Sequence, residues 1–126
     1  FEVWGDGEQI RNWTYVDDIV SGTIATAEKI HDGNSVNLGT MERIKVKDCA
    51  NQVISTLNPG AQIKLLTDKP TGPLNRVASN ALAKELLDWA PQTSFSKGLQ
   101  ETIDWYVGTK TTEQANSDLS RKLVGR

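Results

Sequence analysis

Arg11 lies between the apolar side chains of Ile10 and Trp13, just after the turn-forming Gly5-Asp6-Gly7, and Arg76 follows the turn-rich stretch TDKPTGPLN. A guanidinium among apolar groups needs a partner, and its planar fork matches two phosphate oxygens with charge-assisted hydrogen bonds. Two such groups on separate loops could clamp a diphosphate. A structural ion pair between Arg11 and Asp17 or Asp18 accounts for the local pattern equally well, and Arg76 poses the same alternative.

Other patterns that could carry chemistry are weaker. GDGEQI matches the start of a dinucleotide fingerprint but has Ile10 at the third glycine position. The order of elements also opens no long helix from this turn, so both glycines read as turn residues. Tyr106 and Lys110 have the Y-x-x-x-K spacing. Tyr106, however, falls in register with Leu99 and Ile103 on the face expected to be core, and Lys110 reads as a solvated cation suited to a helix C-terminus. Cys49 and His31, each the only residue of its type, lie in different segments with no triad pattern, and Cys49 reads as a structural thiol. The sequon Asn12-Trp13-Thr14 is a short pattern expected by chance.

These residues need elements to position them. Residues 1–4 alternate as a short strand ending at the glycine turn, and Trp13 to Val16 favour a second extended segment. Asp17 or Asp18 is then expected to cap a helix whose Ile19, Val20, Ile24, Ala27 and Ile30 form the buried face and which ends at Gly33. SVNLG, residues 35–39, reads as a short buried strand. Val46, Cys49, Ala50, Val53, Ile54 and Leu57 fall on one helical stripe that Asn58-Pro59-Gly60 stops. QIKLL, residues 62–66, reads as a strand. Helices follow over about 79–87, burying Leu82, Leu86 and Leu87, and over about 96–108, burying Leu99, Ile103, Tyr106 and Val107. From Thr111, which has a capping-box pattern with Gln114, a last helix offers Ala115, Leu119 and Leu123 as its apolar face. Strands alternating with amphipathic helices imply an α/β fold, and the polar, proline-rich 67–76 loop reads as a ligand-binding loop.

At 126 residues, 37% hydrophobic and 24% charged, the chain has the size and composition of one globular domain. A net charge of −2 with interspersed signs leaves no basic stripe for nucleic acid. No apolar run approaches the roughly 20 residues of a membrane span, and no signal-peptide pattern opens the chain. A cytoplasmic protein is the expectation. The chain begins at Phe1 and its single methionine is Met41, which is expected either where the initiator was removed and the start trimmed or of a piece of a longer protein.

GDGEQIRNWTYVDDIVSG is similar to the segment G-D-G-x-Q-x-R-(D/N/S)-(F/W)-x-Y-V-x-D of the extended short-chain dehydrogenase/reductase superfamily, the NAD(P)-dependent nucleotide-sugar epimerases and dehydratases. The likeness continues in order. SVNLGT resembles the family's N-(L/I)-G strand, PTGPLNRVASNALAKELLDWAP its R-x-(A/S)-D segment ending in L-G-W-x-P, and SFSKGLQETIDWY its closing helix.

The resemblance implies a small α/β substrate-binding domain over residues 1–110, with a helical tail over 111–126 and the Rossmann domain absent. Arg11 and Arg76 match the two arginines that grip the diphosphate of a nucleotide sugar. Asn37 lies near the nucleotide-side wall, and Gln9 and Asn75 are further polar candidates. By the same resemblance the catalytic residues and NAD(P) belong to the full-length parent, so this chain alone is expected to bind a nucleotide-diphosphate sugar without turnover. Asp18 matches an acid that orients the strand-to-helix turn. Ser79, Asp88 and Lys45 depart from the pattern, where aspartate, glycine and a serine or threonine cap are usual. The PTGPLNRV loop looks closer to epimerases acting on GDP-sugars than on UDP-galactose. The rival expectation is a non-catalytic fragment without nucleotide affinity, self-associating or binding a partner through surface left uncovered by the missing Rossmann domain.

Overall fold

The computed structural model describes residues 1–123, and side chains through residue 118. In chain order the elements are β1 (Glu2–Trp4), β2 (Ile10–Arg11), α1 (Val16–Lys29), β3 (Ile44–Lys45), α2 (Val46–Leu57), β4 (Lys64–Leu66), β5 (Asn75–Arg76), α3 (Ala81–Leu87), α4 (Phe95–Thr109) and α5 (Thr112–Leu123). The fold is α/β, with two small sheets. β1 and β4 pair in parallel, and β2 is the centre of a three-stranded sheet, antiparallel to β3 and parallel to β5.

Alternation in β1 turns Val3 inward, and Gly5 and Gly7 then take φ of 77° and 73°, values a side chain disfavours. That turn leads the chain out of one sheet and into β2 of the other. The ladder there is Ile10–Arg11, earlier than the aromatic run Trp13–Val16 from which a strand was expected. Those aromatics form an extended link, and Tyr15, not an aspartate, occupies the N-cap of α1 with no side-chain capping bond.

The largest departure concerns α1. Its buried residues are Asp18 and Gly22, whereas Val20 and Ile24, expected to face the core, are exposed. Asp18 accepts hydrogen bonds from the backbone N–H groups of Gln92 (2.9 Å) and Thr93 (3.0 Å), which ties the 90–93 link to the helix. At Gly22 a Cβ would sit 2.8 Å from Leu38 and 3.0 Å from Trp89, so glycine permits the close approach. This face meets the core cluster of Ala83, Leu87 and Trp89, to which Ala25, Ile30, Val36 and Leu38 add partly buried surface. Trp89 Nε1 donates to Ser21 Oγ (3.0 Å), giving the indole its polar partner.

α3 likewise buries Ala83 and Leu87, and leaves Leu82 and Leu86 well exposed. α4 starts from Ser94, whose Oγ accepts from the Lys97 N–H, and Glu42 reaches the Phe95 N–H (2.6 Å) from a distant segment. Its buried residues are Phe95, Gly98 and Ile103, while Tyr106 and Val107 lie outside the core. The capping box at Thr111 and Gln114 forms in both directions. Ala115 is half-buried; the side chains of Leu119 and Leu123 lie outside the described residues.

SVNLG does not form a strand. Val36 and Leu38 pack on the core cluster, but residues 35–38 make no backbone hydrogen bond among the described residues, because no strand lies beside them.

Candidate functional site

The centre of the three-stranded sheet brings the two arginines together. In the parallel ladder Ile10 faces Asn75 and Arg11 faces Arg76, and the Ile10 N–H donates to Leu74 O (2.7 Å). Residues opposite one another on neighbouring strands project to the same face about 4.8 Å apart, so the two guanidinium stems rise side by side. Asn75, one residue earlier, belongs to the opposite face.

Neither arginine takes part in an ion pair among the described residues. The pairing of Arg11 with Asp17 or Asp18 does not form: Asp18 is committed to the 92–93 backbone. Arg11 instead donates from Nη1 to Ile10 O (2.7 Å) and Pro73 O (2.8 Å), and from Nη2 to Thr71 O (3.1 Å). Arg76 is exposed. Two adjacent cations without a neutralising carboxylate favour an anion between or above them.

Nearby lysines add little to that field. Lys45 and Lys47 both pair with Glu8, Lys45 at 2.8 Å, and their hydrogen bonds hold the Glu8 carboxyl at about 2, well below the ordinary carboxylate range. Lys45 is the N-cap residue of α2 and gives no side-chain cap; its ammonium serves Glu8.

The remaining expected contacts are scattered. Gln9 is buried, with Nε2 donating to Trp4 O (3.1 Å) and Oε1 lacking a partner. Asn37 is exposed on the unpaired 35–38 segment, with no hydrogen bond to either arginine. Lys110 binds Asp118 (2.7 Å), so the Tyr106 and Lys110 pattern places no free ammonium beside the phenol.

A cavity of about 690 Å³ escaped the sequence reading. Trp13, Tyr15, Cys49, Phe95, Leu99 and Trp105 are among its lining residues, and neither arginine is. Tyr15, hydrogen-bonded to Glu101, has its phenol pKa raised, and burial raises that of the Cys49 thiol. The exposed tryptophans on the 12–15 link and on α4 were its available signal.

The Gly5–Gly7 turn does not fit a dinucleotide cradle. A Cβ on Gly5 would overlap the Thr71 methyl, and one on Gly7 would lie 2.7 Å from Lys47 Cβ, so protein already fills the space that a pyrophosphate would enter. Among the described residues no cluster of His, Cys, Asp or Glu could hold a metal, and no helix is long and apolar enough to cross a membrane.

The small α/β scaffold carries the collinear motifs quoted above, and comparison with known proteins gives the class they mark, the nucleotide-sugar epimerases and dehydratases. The model of the GDP-mannose 4,6 dehydratase family matches residues 2–102. The chain belongs to that family, among the NAD-dependent extended short-chain dehydrogenases/reductases. It is 34% identical to GDP-mannose 3,5-epimerase of Arabidopsis thaliana over 99% of its own length and 34% of the relative's. It is also 34% identical to UDP-glucuronic acid decarboxylase 1 of the same plant, over 80% of this chain and 23% of that one.

Among solved structures, the UDP-glucuronic acid 4-epimerase of Bacillus cereus in complex with UDP-glucuronic acid and NAD superposes with a TM-score of 0.73 at 30% identity, over 82% of this chain and 34% of that one. The UDP-glucose 4-epimerase of Thermotoga maritima with UDP-glucose gives 0.77 at 27%, over 86% and 35%. The chain thus spans about a third or less of the length of these relatives.

Proposed function

We propose that residues 1–110 are the substrate-binding portion of an NAD-dependent nucleotide-sugar epimerase or dehydratase, with 111–126 as a helical tail, and that Arg11 and Arg76 bind the diphosphate. The observation that carries this reading is the parallel register of two arginines with no carboxylate partner among the described residues. The relatives support it from another side. Their names differ in base (GDP, UDP) and in reaction, and a nucleoside diphosphate sugar is what they share. Binding energy from that remote diphosphate positions the sugar for chemistry performed by groups outside this chain. NAD belongs with those groups, and the chain alone turns nothing over.

Calorimetric titration with GDP, UDP and dTDP tests the reading. At least one binds at millimolar affinity or tighter, and Arg11→Ala or Arg76→Ala each weakens it by about 2 kcal/mol, roughly thirtyfold. Binding indifferent to both substitutions would sink the assignment.

A second reading has its own support. Val16, Val20 and Ile24 are about half-exposed or more along α1, and residues 35–38 offer unpaired backbone. A face of this kind suits either the remainder of a family-length polypeptide or a second copy of this chain. For the isolated chain this reading expects concentration-dependent sedimentation, through a surface separate from the arginine pair.

A further inference from the structure

Arg11 is held by a loop, and the loop is held by a glycine. A guanidinium has five N–H donors. In Arg11 three of them are spent on Ile10 O, Pro73 O and Thr71 O, which leaves the Nε–H and one Nη2–H. The loop that supplies two of those carbonyls is fixed at its other side by the Thr71 methyl, which fills the space above Gly5. Gly72, at φ 69°, lets the chain turn tightly between the two carbonyls, and a Cβ there would lie 3.8 Å from Arg11 Nη2.

We propose that Thr71 is a positioning residue for the diphosphate site: its methyl, seated on Gly5, sets the 71 and 73 carbonyls that aim the remaining donor pair of Arg11 at the anion shared with Arg76. This rests on the reading of Arg11 and Arg76 as the diphosphate site. Thr71 touches no ligand. It acts through Arg11, so its effect on affinity disappears when Arg11 is absent.

The test uses inorganic pyrophosphate as the probe, titrated by calorimetry into the 126-residue chain, because pyrophosphate isolates this site from base and sugar. Gly5→Ala places a methyl on the Thr71 methyl and lowers affinity about tenfold or more, the scale expected when a binding group is displaced by a fraction of its reach. Thr71→Ser leaves a void and gives a smaller loss. Combining the two moves one methyl across the contact and recovers part of the Gly5→Ala loss; the positive φ of residue 5 keeps the recovery incomplete.

In an Arg11→Ala background neither substitution changes the residual affinity, an outcome that a general loss of stability would not produce. If Gly5→Ala fails to fold, Thr71→Ser in the two backgrounds decides alone. Pyrophosphate binding that depends on Arg76 but is unmoved by Gly5→Ala and Thr71→Ser overturns the positioning role and leaves the site standing. Equal losses with and without Arg11 also overturn it. No pyrophosphate binding, or binding indifferent to Arg76→Ala, overturns the site itself.

Discussion

The two faces of α1 invert the usual arrangement. The inward face presents Asp18 at 5% exposure and a buried Gly22; the outward face presents Val16, Val20 and Ile24 at 61%, 50% and 54%. Inside, a carboxylate that accepts two backbone N–H groups and a glycine that admits Trp89 and Leu38 do the joining. Outside, branched apolar side chains meet water. Burial on this helix therefore follows close approach and hydrogen bonding, and the apolar stripe marks a surface left exposed among the described residues. The same asymmetry explains the 35–38 segment. Val36 and Leu38 are fixed from one side by the core cluster, while the backbone finds no ladder on the other.

If the inward face holds the fold, its polar anchor has the largest effect. Asp18→Ala leaves the Gln92 and Thr93 N–H groups without their acceptor in a part-buried site, and a hydrogen bond to a charged group contributes about 1.5–3 kcal/mol. With partial rescue by water, we expect a loss of about 3 kcal/mol in urea unfolding. Asp18→Asn keeps one carbonyl oxygen and loses less. A change below about 0.5 kcal/mol for Asp18→Ala would show that the 90–93 link does not depend on the helix.

A smaller effect sharpens the comparison at the element facing α1. α3 ends at Asp88, a non-glycine residue at φ 54° in the left-handed region that favours glycine. Relief of the left-handed penalty outweighs the extra freedom glycine gives the unfolded chain, so Asp88→Gly should stabilise by about 0.5 kcal/mol. Thermal unfolding reads this as a rise in Tm; a fall would mean that the Asp88 side chain contributes something its strained backbone hides.

The difference between the two faces also sets what could be read from the sequence. The glycine turn, β4, α2 and α4 follow from local chemistry, since Gly5 and Gly7 need positive φ and Ser94 caps its own helix. The capping box at Thr111 is equally local. Helical spacing, by contrast, says that Val20 and Ile24 share a face but not that this chain contains the partner for it. SVNLG has a strand's pattern, and a strand needs a neighbour that no local pattern supplies. At the candidate site the residue types of Arg11 and Arg76 were legible. Their register was not, because a ladder between residues 65 positions apart depends on the path of the whole sheet. The carbonyl latch on Arg11 was hidden for the same reason, since residues 71–73 bear no mark of what they will accept.

The smallest expected effect on folding is the sharpest test of the comparison. Val20→Asp and Ile24→Asp place charge on side chains already in water, so each should alter the unfolding free energy by less than about 0.5 kcal/mol. Were these residues part of the chain's own core, a buried unpaired carboxylate would cost several kcal/mol instead. Association depends on the same face in the opposite sense. Two α1 stripes packed together would bring the new carboxylates near one another and desolvate them, so sedimentation of the double variant should lose any concentration dependence seen in the parent chain. Pyrophosphate affinity should stay unchanged, because the arginine pair is carried by β2 and β5 and not by α1. A double variant that unfolds would instead place α1's outer face in the core and reverse the assignment of its two sides.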